Sequence, residues 1–468
     1  MNMKTTHFRN SAKGVLRAAE AFVEIVILMI LYYLMWRYGY DTTGEPSYTG
    51  YGKYVLTGVY GILVWVLFAC FDGLKFGHFR ASGVLFSQGI SLFIVNFISY
   101  WQLCLIENTV IKVTPMLQLF LGDLVVALVC TLIYSKVYHR LYGSRNMAMI
   151  FGKDAAVSLK FKMETRPDKY RIVKLISIDD GLESICEQIV NYDSVIINDV
   201  PAEIRNKILK FCYQNGIRTY LTPKLSDIIV RGATSINLFD TPLLLVRGMG
   251  LTISQRFFKR MMDLIIAIPV ALISAPIMLI VALAIKCEDG GPVFYKQERV
   301  TRDGRPFTII KFRSMIVDAE KNGVPQLAQE KDPRITKVGA FIRATRLDEL
   351  PQIFNILKGD MSVVGPRPER QEYIDQFCEE TPEFVYRLKV KGGLTGYAQV
   401  YGKYNTTPYD KLRMDMIYIE NYSLFLDIKL LLMTLRIMLT KESTEGIDKA
   451  EENKKLAQEL ADEVKSEK

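Results

Sequence analysis

Long apolar runs open this chain and recur twice further on. Four of them, at about 21–38, 54–71, 84–105 and 115–135, are each near the length that carries an α-helix across a bilayer. The charge between them alternates along the chain. Lys4, Arg9, Lys13 and Arg17 precede the first run, Lys75 and Arg80 separate the second from the third, and Lys136, Arg140 and Arg145 follow the fourth. The other two loops carry Asp41, Glu45 and Glu107 with few bases. Basic loops are retained in the cytoplasm. The pattern therefore predicts a bundle of four transmembrane helices over 1–145, with the N-terminus and everything after residue 136 cytoplasmic. The alternative, a buried soluble helical core, does not explain the consistent loop charge. The first run starts late, is long and lacks a small-residue cleavage site, so it reads as a retained helix rather than a signal peptide.

The pattern then shortens. Residues 147–151, 171–178, 194–198 and 219–221 read as strands, and the segments near 181–191 and 202–213 as helices between them. This alternation predicts a small parallel α/β domain over 146–250. Such a sheet suits a nucleotide. Its first turn, however, reads Phe151-Gly152-Lys153-Asp154-Ala155-Ala156, without the glycine spacing that lets a backbone approach a pyrophosphate. A structural or regulatory role is favoured over ligand binding.

The next apolar run, 264–285, is long enough to span, yet a fifth crossing would carry the rest of the chain outside. Bases flank both ends, Arg256, Lys259 and Arg260 before it and Lys286, Lys296 and Arg299 after it, so charge does not decide. Pro269 and Pro276 lie inside it, and an interior proline removes a backbone hydrogen bond and bends a helix. With Ser274 placed to satisfy a freed carbonyl, the run predicts a re-entrant helix–break–helix, with Ser274 and Pro276 at the break, that leaves on the face it entered. A cysteine near Lys286 would then label from the cytoplasm. The last run, 422–439, contains Asp427, Lys429 and Arg436 and reads as an amphipathic helix on the membrane surface or packed on its own domain. From 441 onward the chain is a charged, solvated tail.

Composition narrows the class. The chain has 468 residues, 50% hydrophobic and 23% charged, with a net charge of +9. That is too charged for an all-membrane transporter and too apolar for an ordinary soluble enzyme. The positive balance suits anionic head groups and phosphorylated substrates; no nucleic-acid module accompanies it, so no nucleic-acid partner is expected. The seven cysteines contain no Cys-x-x-Cys and read as reduced thiols.

The densest chemistry lies at Thr345-Arg346-Leu347-Asp348-Glu349-Leu350-Pro351-Gln352, followed by Gly359-Asp360-Met361-Ser362-Val363-Val364-Gly365-Pro366-Arg367-Pro368-Glu369. The three histidines, His7, His78 and His139, all fall elsewhere, which leaves carboxylates, lysines, arginines or a metal to act here. Lys311 and Arg313 flank Phe312 as two bases on one strand face. Pro366 and Pro368 restrict the backbone around Arg367, which suits aiming a guanidinium at a phosphate. Arg343 lies five residues before Asp348, a spacing that on a helix would not share its face.

This ordered set, Lys311-Phe312-Arg313-Ser314-Met315, Asp332-Pro333-Arg334-Ile335-Thr336-Lys337-Val338-Gly339, Phe341-Ile342-Arg343, the Asp-Glu pair, Pro366-Arg367-Pro368 and Gly393-Leu394-Thr395-Gly396-Tyr397-Ala398-Gln399-Val400, resembles the bacterial polyprenyl-phosphate glycosyl-1-phosphate transferases over roughly 254–440. The resemblance implies a fold of three parts: an integral membrane α-helical N-terminal bundle, an α/β Rossmann-like middle domain of the kind larger members carry, and a mainly α monotopic catalytic domain over 251–440 with the re-entrant helix, ahead of the 441–468 tail. It implies transfer of a sugar-1-phosphate from a UDP-sugar to undecaprenyl phosphate, with release of UMP, at the start of exopolysaccharide, capsule or other lipid-linked glycan synthesis. Asp348 would form a covalent aspartyl-phosphosugar. Glu349, with Asp348, would hold Mg2+, which needs only one or two carboxylates. Lys311, Arg313, Arg343 and Arg367 would bind phosphate, Arg343 through the motif match alone. The expected setting is the inner (cytoplasmic) membrane, among membrane lipids, with the catalytic domain facing the cytoplasm; a homo-oligomer is left open. Two departures stand out. Ala275 occupies a position where the family often has Ser before its proline, and Gly392 replaces the usual proline of the Pro-Gly-Leu/Ile-Thr-Gly segment, predicting a more flexible loop. Rival readings are a catalytically silent membrane scaffold or sensor and a nucleotide-sugar phosphodiesterase. Neither the sugar nor the middle domain's ligand is legible.

Overall fold

The computed structural model describes residues 3–40, 51–77, 81–152, 155–164, 166–167, 169–248, 250–317, 332–402 and 406–438. The expected tail over 441–468 lies outside the described residues. Contacts divide the chain into two units that meet between Thr222 and Pro223.

The first unit begins with helices α1 (Met3–Met35), α2 (Gly52–Cys70), α3 (Ala81–Glu107) and α4 (Thr114–Leu141). Of these, α2, α3 and α4 are apolar over a full bilayer-length window, while α1 carries Glu20 and Glu24 in its apolar half. Leu28, Tyr60, Val64, Phe68 and Leu92 pack between the helices, whereas Phe22, Trp65, Phe93 and Phe97 are exposed. A soluble protein would bury such rings, and an apolar exterior is what lipid requires. Polar side chains set the register inside the bundle. Asp123 accepts from Tyr60 Oη and Asn96 Nδ2, both at 2.8 Å, and Glu24 accepts from Gln88 Nε2 at 3.0 Å.

After the bundle come β1 (Arg145–Phe151), α5 (Ala155–Glu164), β2 (Tyr170–Ser177), α6 (Leu182–Ile189), β3 (Ser194–Asn198), α7 (Ala202–Gln214) and β4 (Arg218–Leu221). All pairings are parallel, in the order β2-β1-β3-β4. Strand β3 is buried along its whole length, as a strand covered on both faces should be. The glycine after β1 has a local reason: a Cβ on Gly152 would lie 2.3 Å from the Asp199 carbonyl oxygen. The turn is closed by its own backbone.

The second unit contains α8 (Leu225–Arg231), β5 (Thr234–Leu238), β6 (Thr241–Leu245), α9 (Ile253–Asp289), β7 (Phe294–Val300), β8 (Pro306–Phe312), α10 (Lys337–Ala344), α11 (Gln352–Lys358), β9 (Ser362–Val364), α12 (Gln371–Glu380), β10 (Gly393–Thr395), α13 (Tyr397–Tyr401), α14 (Pro408–Glu420) and α15 (Leu424–Met438). Residues from Pro223 onward group with this unit, and Leu225 and Ile228 of α8 enter its core beside Met361, Phe384, Leu412 and Met416.

Helix α9 departs from the expected helix–break–helix. It runs for 37 residues with both prolines inside. Each proline removes one hydrogen bond, which bends a helix without having to end it. Nor does Ser274 take the predicted partner. It is buried and donates to the Ala271 carbonyl at 3.5 Å, not to that of Leu272, which Pro276 leaves without its helical donor. The ends are well marked: Thr252 and Gln255 form a capping box, and Gly290 closes the helix in the left-handed region. Between them Ile265, Leu272, Ile273, Leu279 and Ile280 are exposed.

Both ends of α9 are fastened to the same folded unit. Near its start, Arg260 donates to the Ile356 and Leu357 carbonyls at 2.6 and 2.7 Å, and Asp263 accepts from Ser362 Oγ and Val363 N, both at 2.9 Å. Near its end, Val281 and Ile285 pack on Phe312 and Ile342. The elements gripping the two ends are themselves joined, since Asn355 of α11 accepts from Ile310 N at 3.1 Å and donates to the Thr308 carbonyl at 2.7 Å on β8. Helix α15 packs through Asp427, Leu430 and Met433, all buried.

Candidate active site

The site is assembled from three short segments. The first is β8, whose partner β7 runs antiparallel and sets Lys311 opposite Tyr295. The second follows α10. Thr336 caps that helix by accepting from Gly339 N at 2.9 Å. Gly339 leaves room for the Ser314 carbonyl, which a Cβ would meet at 2.0 Å. After α10 ends, Arg346 adopts the left-handed region at φ 56° and a 3-10 turn spans Leu347–Glu349. Asp348 and Glu349 therefore stand on a tight turn, not on the α-helix assumed for the spacing of Arg343. The third segment is Pro366-Arg367-Pro368, between β9 and α12.

Glu349 is the hub. Its Oε1 accepts from Lys311 Nζ at 3.2 Å and from Arg367 Nη2 at 2.9 Å. Burial pushes the Glu349 carboxyl upward, but Arg367 and Lys311 overcome this and hold it far below the ordinary carboxylate range. Glu349 in turn raises the Arg367 guanidinium above its ordinary value. Lys311 moves the other way: burial lowers it, Arg367 adds to that, and Glu349 and Asp348 oppose it.

Asp348 is held differently. Among the described residues no ion pair or hydrogen bond engages its carboxylate. Burial raises it and the neighbouring charge of Glu349 raises it further, while Lys311, Arg343 and Arg367 pull it down through space. One carboxylate is thus committed to structure and the other is left available within a field of three cations.

The structure brings Lys311, Arg343, Asp348, Glu349 and Arg367 into one electrostatic cluster. Arg313 stands apart. Its side chain is buried and forms a bidentate pair with Asp289 at the end of α9, Nη1 to Oδ2 at 2.7 Å with a second bond from Nη2 to Oδ1. The two-bases-on-one-face reading therefore separates into two contacts: Lys311 joins the cluster, and Arg313 pairs with the end of α9. Ser274 and Pro276 lie on α9, outside the cluster.

A supporting ring escaped sequence reasoning. Arg387, almost fully buried, donates to the Arg367 carbonyl at 2.9 Å and ion-pairs with Asp415 at 2.9 Å. Glu369 pairs with Lys411 and lies near Arg299 and Arg387. These partners are far apart in sequence and carry no local pattern; Glu369 alone sits in a recognisable segment. The glycine loop is also tied rather than loose. Ser362 N donates to the Gly392 carbonyl at 2.9 Å, Gly393 N to Pro366 at 2.8 Å and Gly365 N to Thr395 at 2.7 Å. A Cβ on Gly393 would lie 2.1 Å from Gly365 N. The expectation of a flexible segment is corrected: the glycines permit close backbone pairing beside Arg367.

Among the described residues no group of three or more His, Cys, Asp or Glu gathers as a metal cage. Asp348, whose carboxylate is unengaged, and Glu349, whose Oε2 takes neither the Lys311 nor the Arg367 bond, are the oxygens that could hold Mg2+, an ion commonly bound by one or two carboxylates plus substrate phosphates.

A unit that carries a helix apolar enough for a membrane beside a paired-carboxylate, guanidinium-rich site is the class that these features define. A sequence model of the bacterial sugar transferase family matches residues 254–441, the segment that holds α9 from its second residue onward and the whole cluster. The chain is 46% identical over 187 residues to a UDP-N-acetylgalactosamine-undecaprenyl-phosphate N-acetylgalactosaminephosphotransferase of Aeromonas hydrophila, covering 39% of this chain and 44% of that protein. It is 36% identical over 248 residues to a UDP-glucose:undecaprenyl-phosphate glucose-1-phosphate transferase of Klebsiella pneumoniae, covering 52% and 51%. A protein of the same description from Caulobacter vibrioides is 40% identical over 190 residues, covering 40% of this chain and 71% of the relative. The chain belongs to the bacterial sugar transferase family. It spans about half the length, or somewhat less, of the first two relatives.

Proposed function

We propose that this protein transfers a sugar-1-phosphate from a UDP-sugar to undecaprenyl phosphate at the cytoplasmic membrane face, the opening step of exopolysaccharide, capsule or other lipid-linked glycan assembly. The observation that carries the reading is the division of labour in the carboxylate pair: Glu349 clamped by Lys311 and Arg367, Asp348 left available beside them. The activities for which the relatives are named supply the substrate class.

In this reading an Asp348 carboxylate oxygen attacks the sugar-proximal phosphorus. The bond from that phosphorus to the bridging oxygen breaks and UMP leaves, so that an aspartyl-phosphosugar remains. A phosphate oxygen of the lipid then attacks the same phosphorus, the bond to Asp348 breaks, and the carboxylate returns with the lipid diphosphosugar as product. Arg367, Lys311 and Arg343 stabilise the phosphate charge that shifts in both steps. Glu349 fixes Arg367 and Lys311 in place, which limits reorganisation during the reaction. Asp348 and Glu349 would hold Mg2+, which would supply further neutralisation of phosphate charge when bound. The test is UMP release by purified protein with Mg2+, a panel of UDP-sugars, and undecaprenyl phosphate present or absent. Lipid-dependent release with one donor is expected. Release that ignores the lipid would instead indicate a phosphodiesterase, and none with any donor would sink the reading.

A lipid acceptor requires the site to stand at the membrane surface, and α9 supplies the anchor. At 1.5 Å per residue its length is about 55 Å, against a hydrocarbon core of about 30 Å. We place both ends of α9 on the cytoplasmic side, supported by the joined elements α11 and β8 that grip its two ends. Cys287, exposed near the far end, reports on this. A membrane-impermeant maleimide is expected to label it in inverted vesicles and not in intact cells, with the signal absent in Cys287→Ser. Labelling from outside intact cells would make α9 a simple spanning helix.

A further inference from the structure

We propose that the first unit holds a second anion site, on residues separate from the carboxylate cluster, that takes a phosphate-bearing ligand where the membrane bundle meets the parallel sheet. A cavity of about 390 Å³ lies there, within the range of small-ligand pockets. Five basic side chains line it: Lys13 and Arg17 from α1, Arg145 at the start of β1, Lys169 just before β2, and Arg218 at the start of β4. Among its described lining residues there is no carboxylate. Like charges gathered around one small space favour an anion in it, and a phosphate accepts from several guanidinium and ammonium donors at once.

The rings of this cavity hold its basic groups in place. Tyr134, Tyr138 and Tyr142 form a ladder at four-residue spacing along the end of α4, with centroids 5.8 and 5.4 Å apart. Lys13 lies over the Tyr142 ring at 4.5 Å, and on the sheet side Arg218 lies over Tyr220 at 5.6 Å. Such ring–cation contacts position the basic groups, and tyrosines at the ends of membrane helices mark the head-group level. The cavity sits at the N-terminal ends of strands β1, β2 and β4. Open parallel sheets bind nucleotides at the opposite, C-terminal ends, where the backbone of Asp199 closes on Gly152. The ligand chemistry is thus a phosphate group, whose source is either a lipid head group or a free phosphate.

The test titrates the full-length chain, in nanodiscs of zwitterionic lipid, with dodecyl phosphate and separately with inorganic phosphate, against empty discs. Arg367→Ala removes a cation of the transferase cluster and is expected to retain a dodecyl phosphate binding component. Arg145→Ala/Arg218→Ala is expected to weaken that component by about tenfold or more, through loss of charge-assisted hydrogen bonds, while Arg218→Lys, which keeps the charge but loses the guanidinium fork, is expected to fall between wild type and the double variant. Binding of dodecyl phosphate alone identifies a lipid head group as the source; equal binding of both probes identifies a free phosphate. Unchanged affinity in Arg145→Ala/Arg218→Ala, or no binding of either probe to Arg367→Ala, overturns the site. Thermal melting of each variant is recorded in parallel. Should the double variant fail to fold, Lys169→Ala carries the same comparison, with an expected loss of about threefold and an unchanged affinity again overturning the site.

Discussion

Asp348→Asn is expected to lower UMP release by about a thousandfold or more, since it removes the attacking oxygen of a two-step displacement. The fold should be unaffected, for a reason visible in the site. The Asp348 carboxyl is raised by burial and by Glu349 despite three nearby cations. A raised carboxyl means that its ionised form is disfavoured in the folded state, so the stability it contributes is greatest at low pH and declines as pH rises through the folded value. A neutral amide of the same shape escapes that penalty at pH 7, and the melting temperature should stay level or rise. A second readout isolates the chemistry. Wild-type protein given labelled UDP-sugar without lipid should retain the label covalently on the sugar-phosphate, and Asp348→Asn should not. Release within tenfold of wild type, or label retained by the variant, would rule out Asp348 as the nucleophile.

Asp427→Ala is expected to destabilise the second unit by about 3–5 kcal/mol, the cost of leaving a buried charge without its partner. Lys259 Nζ donates to Asp427 Oδ2 at 2.7 Å and to Tyr418 Oη at 3.0 Å, and Tyr418 Oη donates to Asp427 Oδ1 at 2.7 Å. The Lys259 and Asp427 side chains are only 6% and 0% exposed, so water cannot replace a lost partner. For a unit of this size the loss corresponds to a fall of roughly 6–20 °C in melting temperature. Removing both charges, as Lys259→Met/Asp427→Leu, should recover most of it, because an apolar replacement of a whole buried pair is often near neutral. A melt of Asp427→Ala within about 2 °C of wild type would show that the pair carries little stability.

What the chain disclosed in advance depended on the range of the interaction. The apolar runs and the strand–helix alternation are local periodicities, and the bundle and sheet followed from them. The motif set named Lys311, Asp348, Glu349 and Arg367 because those residues sit in compact, recognisable segments. The bonds that organise them are long-range. Lys259 and Asp427 are 168 positions apart, and Arg387 reaches Arg367 across 20. Neither pair falls within the few residues that a local pattern spans. The Arg313–Asp289 pair was hidden for the same reason: strand alternation describes where a side chain starts, and Asp289, 24 positions away, decides where it ends. The hairpin β5–β6 escaped notice because all ten of its strand residues are exposed, so no buried face imprinted an alternating pattern. Arg346, non-glycine in the left-handed region, likewise left no signature, yet its turn is what separates the two carboxylates into different surroundings.

Helix α9 has a consequence for how such a protein is put together over evolutionary time. The unit that contains the carboxylate cluster also contains its own apolar anchor, held at both ends by its own backbone and side chains. Membrane attachment and chemistry are inherited as one package. A change in the first 222 residues, which form a unit of their own, would then leave the carboxylate cluster still fastened to its apolar helix.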